Sequence, residues 1–412
     1  MTVDYKLLLR ILASMPFRIL LVILLASFTT DYIPLEWRRV AYTVSLAIKE
    51  VLMLFLPLII FGSMFNALVR ISKGAVLFVS LLLVCIIISN FISVTIAGLF
   101  SYLVLLDSHI IHRYVAQDVG ECLTPLLSIG LPKLVSNNMA LLAAFILAMV
   151  YQVKPTGIMR KAANIVEVIA NKFLHLFFLP LLPLFIFGFL VKIINDKLLL
   201  QMAAYDARTV LLMVLLLLCY LVILYVIATK LNNVELFFIA KNILPPAITA
   251  FSTMSSAAAL PFSIRAAKSN TGDEKIANAV MPATANIHMI GDAICIPIMA
   301  MIMLLLFNQQ IPSLHNYLVF ALFFVITKFS GAGVPGGSIL VMIPVLEKYL
   351  GFTPEMVGII TIFYMLIDPI ATLGNVLGNN LFVILFSKIY GRVDSLYGKL
   401  LRKDKNHELY RL

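Results

Sequence analysis

The stretch Asp368-Pro369-Ile370-Ala371-Thr372-Leu373-Gly374-Asn375-Val376-Leu377-Gly378-Asn379-Asn380 lies inside an apolar run from about 353 to 387. Asp368 is the only charged residue between Glu355 and Lys388. A run of that length can cross a hydrocarbon core, which needs about 20 helical residues. A carboxylate at such depth is costly unless paired or hydrated, and it marks a substrate pathway or relay. A helix cap or structural ion pair is the alternative role. Asp292 is likewise the only charge between Lys275 and Lys328, and none separates Lys328 from Glu347.

Composition places these residues in a membrane protein. Of 412 residues, 62% are hydrophobic and 12% charged, with mean hydropathy +1.04. A soluble domain is about half apolar and about a quarter charged. Too few charges remain to cover a water-facing surface, which excludes a soluble enzyme, a nucleic-acid binder and a disordered scaffold. Long uninterrupted runs argue against a β-barrel. The net charge of +11 comes largely from Lys and Arg gathered in connecting segments, as the positive-inside rule expects. Cys85, Cys122, Cys219 and Cys295 show no paired spacing and read as small hydrophobes. The six histidines are scattered, so no metal cluster is expected.

Eight apolar stretches, near 15–30, 40–68, 74–106, 120–151, 163–194, 207–230, 278–307 and 353–387, are each long enough for a crossing. The basic start before Ile19 resembles a secretory signal, but no small-x-small cleavage site precedes Asp31, so 15–30 reads as the first membrane helix. Two further segments, 237–270 and 312–350, are interrupted by small residues and proline: Phe251–Pro261 in one, Ser330–Ser338 in the other. Irregular backbone at membrane depth is tolerated only inside protein or along a wet cavity. Both segments therefore read as re-entrant hairpins. Each is followed by a helix expected to be broken, at Asn286–Asp292 and at Asp368–Asn380. Paired discontinuous elements are the best sequence pointer to a transporter's binding site. Basic residues at the N-terminus, at 70–73, 154–161 and 265–275, and in the C-terminal tail put both termini in the cytoplasm. Arg38, Arg39, Lys192 and Lys197 fall in the opposing loops on that reading.

At these residues the chain resembles the dicarboxylate/amino acid:cation symporter family, the glutamate-transporter homologues. Ala250–Pro261 is similar to the serine-rich first hairpin and Gly333-Val334-Pro335-Gly336 to the tip of the second. Asp368 through Lys388 is similar to the last helix, and Met53–Ser63, with Pro57, to the second. The resemblance covers most of the chain and is strongest from about residue 237. It implies an all-α polytopic membrane protein of eight transmembrane helices plus two re-entrant helical hairpins, working as a homotrimeric elevator in the cytoplasmic (inner) membrane. The implied division is 1–73 scaffold helices 1–2, 74–110 helix 3 of the transport domain, 111–200 scaffold helices 4–5, 201–400 transport domain and 401–412 cytoplasmic tail.

Position by position, the resemblance gives Asp368 the substrate's amino group, and Thr372 and Asn375 further contacts. Ser255, Ser256, Val334 and Gly336 fall on hairpin-tip positions whose backbone holds the substrate. Exposed amides at broken helix ends bind a carboxylate without a basic side chain. Where acidic-amino-acid transporters of the family carry an arginine, this chain has Ala371, and Asp292 replaces a threonine facing the distal carboxylate. A neutral or basic amino acid is therefore the expected substrate. The cation sites depart too. His288-Met289-Ile290 replaces Asn-Met-Asp, Asn379 replaces an aspartate, and Cys85 and Ile88 replace a tyrosine and a threonine, although Ser89 remains. Lys328 stands in place of a serine. His288, Asp292, Lys328, Asn379 and Ser89 become the cation or proton-coupling candidates, with no organic cofactor and sodium doubtful. The structural alternatives are a core histidine for His288, a static pair for Lys328, helix-gluing amides for Asn375 and Asn379, and close packing for Ser255 and Ser256.

The expectation is a secondary amino-acid transporter, proton-coupled or sodium-independent, in contact with lipid and not with nucleic acid. A C4-dicarboxylate symporter and an anion channel or sensor are the alternatives. No nucleophile–base pairing suggests an enzyme.

Overall fold

The computed structural model describes residues 15–70, 76–105, 123–127, 131, 135, 137–195, 198–229, 233–307, 309–329 and 336–409. Val334, with the rest of the second hairpin tip from 330 to 335, lies outside the described residues, as do Cys122 and the first 14 residues. The described chain is helical, with no strand among the described residues. The helices are α1 (Met15–Thr29), α2 (Leu35–Arg70), α3 (Val76–Leu105), α4 (Asn137–Val153), α5 (Gly157–Phe173), α6 (Leu179–Asn195) and α7 (Leu198–Thr229). Then come α8 (Asn233–Thr253), α9 (Ser256–Thr271), α10 (Glu274–Ile287), α11 (Ile290–Leu306), α12 (Leu314–Lys328), α13 (Gly337–Leu350) and α14 (Pro354–Leu409). Six stretches among the described residues are long and apolar enough to cross a membrane: Leu35–Ile59, Ser80–Val104, Val210–Thr229, Glu235–Thr253, Glu274–Leu306 and Pro354–Val393.

The sharp turns are written locally. Ser255 accepts from the backbone N–H of Ala258 and caps α9, after Met254 takes a left-handed φ of 53°. Gly272, at φ 67°, closes α9 through its N–H to the Lys268 carbonyl, and the Asp273 carboxylate caps α10 by accepting from Lys275 and Ile276. Side-chain oxygens at these positions satisfy amides that the first turn leaves free. So α8 folds back on α9, and α12 packs on α13. α2 packs against α4, α5 and α6, and α6 against α1. α14 touches α7, α8, α9, α10, α11 and α13.

Three expectations change. The run near 163–194 is not one apolar crossing: its first part, in α5, carries Glu167 and Lys172, and a π-helical segment (Leu174–Phe178) joins α5 to α6. Lys192 is not in a loop; it is buried in α6, where it donates to the Leu123 carbonyl at 3.1 Å and lies 5.0 Å from the Tyr42 ring centre. The Asp368–Asn380 stretch does not break its helix, since α14 runs unbroken through it and on through residues 401–409. Its small residues serve approach instead.

α11 is buried on every side from Ile290 to Leu304, the pattern of a helix apolar all round. It crosses α14 backbone to backbone. A Cβ on Gly291 would meet the Ala371 carbonyl oxygen at 2.0 Å, and one on Gly374 would lie 3.1 Å from the Gly291 Cα. Small residues at a crossing let helices close up where lipid supplies no hydrophobic drive between them. The crossing sets Asp292 and Asp368 on facing helices. Gly291→Ala should lower stability by about 1–3 kcal/mol, the cost of overpacking, whereas Gly157→Ala, with nothing within 4 Å of its Cβ position, should be near neutral; thermal unfolding in detergent compares them.

Candidate functional site

The buried charges meet where helices end. Asp292 is in the first turn of α11, Lys328 is the last residue of α12, and Gly336 precedes α13. A carboxylate at a helix start and an ammonium at a helix end are each favoured by the local dipole. Lys328 Nζ lies 3.1 Å from Asp292 Oδ2, with the two side chains 1% and 0% exposed. Ser338 Oγ donates to the same oxygen, and Tyr364 Oη, at 2.7 Å, approaches Asp292 Oδ1. The Asp292 amide donates to Asn375 Oδ1 at 3.2 Å. Lys328 Nζ is also 5.3 Å from the Phe324 ring centre, one turn earlier in α12.

Asp368 joins this group through α14. Its Oδ2 accepts from the Gly336 N–H at 2.7 Å, and its Oδ1 accepts from Thr372 Oγ1 at 2.8 Å. Tyr364 Oη is 3.2 Å from that same Oδ1. Gly336 takes φ 69°, and a Cβ there would meet Met365 Cε at 2.0 Å, so the backbone reaches Asp368 only because the residue is glycine. Lys328 and Ser338 flank the second hairpin tip and share one carboxylate, while Gly336, between them, engages the other.

His288 belongs to a second cluster. The sequence sets it one turn before Asp292, but α10 ends at Ile287 and α11 begins at Ile290. Asn90 of α3 spans this break, donating to the Ile287 carbonyl at 2.8 Å and accepting from the Met289 amide at 3.2 Å. His288 turns its Nδ1 to Asn379 Oδ1 at 2.7 Å and its Nε2 to Ser89 Oγ at 2.9 Å. The Phe382 ring packs on it at 4.3 Å. In the neutral imidazole, Nδ1–H donates to Asn379 and the Ser89 hydroxyl donates to Nε2.

The structure thus brings Asp292, Lys328, Gly336, Asp368, Thr372 and Asn375 into one network, and His288, Asn379 and Ser89 into another. Ser255 and Ser256 open α9, where Ala259 packs with Val376 of α14. Sequence reasoning missed Tyr364, Ser338 and Asn90. Tyr364 stands four residues before Asp368, on the same helical face, and Ser338 closes the glycine-rich stretch; those spacings were the available signals. Lys328→Met leaves Asp292 a buried charge without its cation and should cost about 3–5 kcal/mol, read as a fall in thermal midpoint relative to Lys328→Arg.

Comparison with known proteins gives the family. A model of the sodium:dicarboxylate symporter family matches residues 9–389. The chain is 29% identical over 171 residues to the proton/sodium-glutamate symport protein of Geobacillus stearothermophilus, covering 41% of this chain and 40% of that protein. It is 31% identical over 143 residues to human neutral amino acid transporter A, covering 34% and 26%. It is 25% identical over 182 residues to human excitatory amino acid transporter 1, covering 44% and 33%. In each case the match spans less than half of the relative's length. The family match across nearly the whole described chain makes this chain a member of the sodium:dicarboxylate symporter family.

Proposed function

We propose that the protein is a secondary transporter of amino acids with small neutral side chains, acting without sodium coupling. The observation that carries the reading is Asp368, a buried carboxylate held by a backbone amide and a hydroxyl beside the second hairpin. Such a group binds a primary ammonium strongly once water is excluded. Ala371 is buried and its backbone lies against Gly291, so the network offers no guanidinium to a second carboxylate. Asp292 is compensated by Lys328, Ser338 and Tyr364. Its charge is therefore not free for a basic side chain, which favours neutral substrates over basic ones.

Two features support sodium independence. The Lys328 ammonium already stands beside Asp292 as a tethered cation. The oxygens of Ser89 and Asn379 both face the His288 ring, which fills the space between them. Sodium needs several hard oxygen ligands and gains nothing from an imidazole. On this reading α1, α2 and α4–α6 form the static scaffold of a homotrimer in the cytoplasmic membrane, and α3 with α7–α14 forms the moving elevator. The proton/sodium-glutamate symport protein among its relatives favours an acidic substrate as the second reading.

In proteoliposomes, labelled L-alanine or L-serine should accumulate or exchange equally well when sodium is replaced by choline, and excess glutamate should compete poorly. Uptake that requires a sodium gradient, or that prefers glutamate, contradicts the reading. Asp368→Asn should remove the ammonium's counter-charge and lower alanine affinity more than about tenfold, checked by calorimetry on purified protein.

A further inference from the structure

Tyr364 has one hydroxyl proton and two carboxylates within reach. Its Oη lies 2.7 Å from Asp292 Oδ1 and 3.2 Å from Asp368 Oδ1, and it is fully buried. A phenol donates once and accepts through its lone pairs. The shorter distance assigns the proton to Asp292, whose other oxygen is fixed by Lys328 and Ser338. The Tyr364 oxygen then faces Asp368 Oδ1 with a lone pair and no proton between them. Two acceptors side by side become a favourable arrangement when donors lie against both, as an ammonium with two N–H groups can supply at once.

We propose that Tyr364 Oη is a second acceptor for the ligand's ammonium, working beside Asp368 Oδ1 and aimed by the Lys328–Asp292–Ser338 group. The inference rests on Asp368 receiving an amino group, as argued above, and adds a specificity rule. The site requires an ammonium bearing two or more N–H donors, so primary and singly N-methylated amino acids fit. A tertiary ammonium ligand leaves one of the two oxygens without a donor, and a quaternary one leaves both. A site built to hydrogen-bond a group rejects analogues lacking it, because its own polar atoms are left unpaired. Tyr364 also ties the tethered cation to the ligand: donors on Asp292 govern where the phenol proton rests, and so which face of the oxygen the ligand meets.

The test uses the full-length chain in nanodiscs and calorimetry with L-alanine and its N-methyl, N,N-dimethyl and N,N,N-trimethyl derivatives. Wild-type affinity should fall about tenfold between the mono- and dimethyl ligands, where the second N–H is lost. In Tyr364→Phe, L-alanine should bind about tenfold more weakly and that step should vanish. Equal alanine affinity in wild type and Tyr364→Phe, or a step that persists in the variant, overturns the proposal. A ligand-free readout separates it from the transport reading. With ring-labelled tyrosine, the infrared C–O band missing from Tyr364→Phe should move in Ser338→Ala, because Asp292 with fewer donors draws harder on the phenol proton. An unmoved band overturns the assignment of that proton. A moved band with no amino acid bound by wild type keeps Tyr364 on Asp292 and overturns the amino-acid reading instead.

Discussion

Asp292 holds the site together. Its carboxylate takes a bond from the end of α12, one from the start of α13 and one from α14, while its own helix begins beneath it. Burying an ammonium and a carboxylate costs several kcal/mol per ion, and attraction repays this only with good geometry and further hydrogen bonds. Lys328, Ser338 and Tyr364 supply those bonds. Two helix ends of suitable sign add to them. Lys328 of α12 and Ser338 of α13 are thereby both pinned to one residue of α11, and Gly336, just before α13, engages Asp368.

That arrangement depends on how closely α11 and α14 approach. Gly291, Ala371 and Gly374 leave no side chain between the two backbones. The close crossing keeps Asp292 of α11 within hydrogen-bond reach of Tyr364 and Asn375 of α14.

The break between α10 and α11 is maintained differently. Asn90 replaces the missing helical bonds on both sides, donating to one carbonyl and accepting from one amide. A side-chain amide carries the same donor and acceptor as a peptide group, which is why asparagine suits the role. The interruption turns His288 toward Asn379 and Ser89, so the two candidate centres are separate networks that both draw on α14.

Composition and the isolation of three charges in apolar runs sufficed to establish a helical membrane protein with buried ionisable residues, because burying a charge in hydrocarbon is expensive wherever the chain puts it. The caps at Ser255, Gly272 and Asp273 act within a few residues and went unread in the sequence. Which charges pair was not legible either. Lys328 and Asp292 are 36 residues apart, and Tyr364 joins two carboxylates through contacts that no local pattern encodes. The polar stretch after Asp368 suggested a broken helix, whereas α14 stays whole and spends its small residues on the crossing. Only the packed helices decide such matters, because a hydrogen bond between distant residues depends on crossing distance and rotation, quantities that exist only once the helices are assembled.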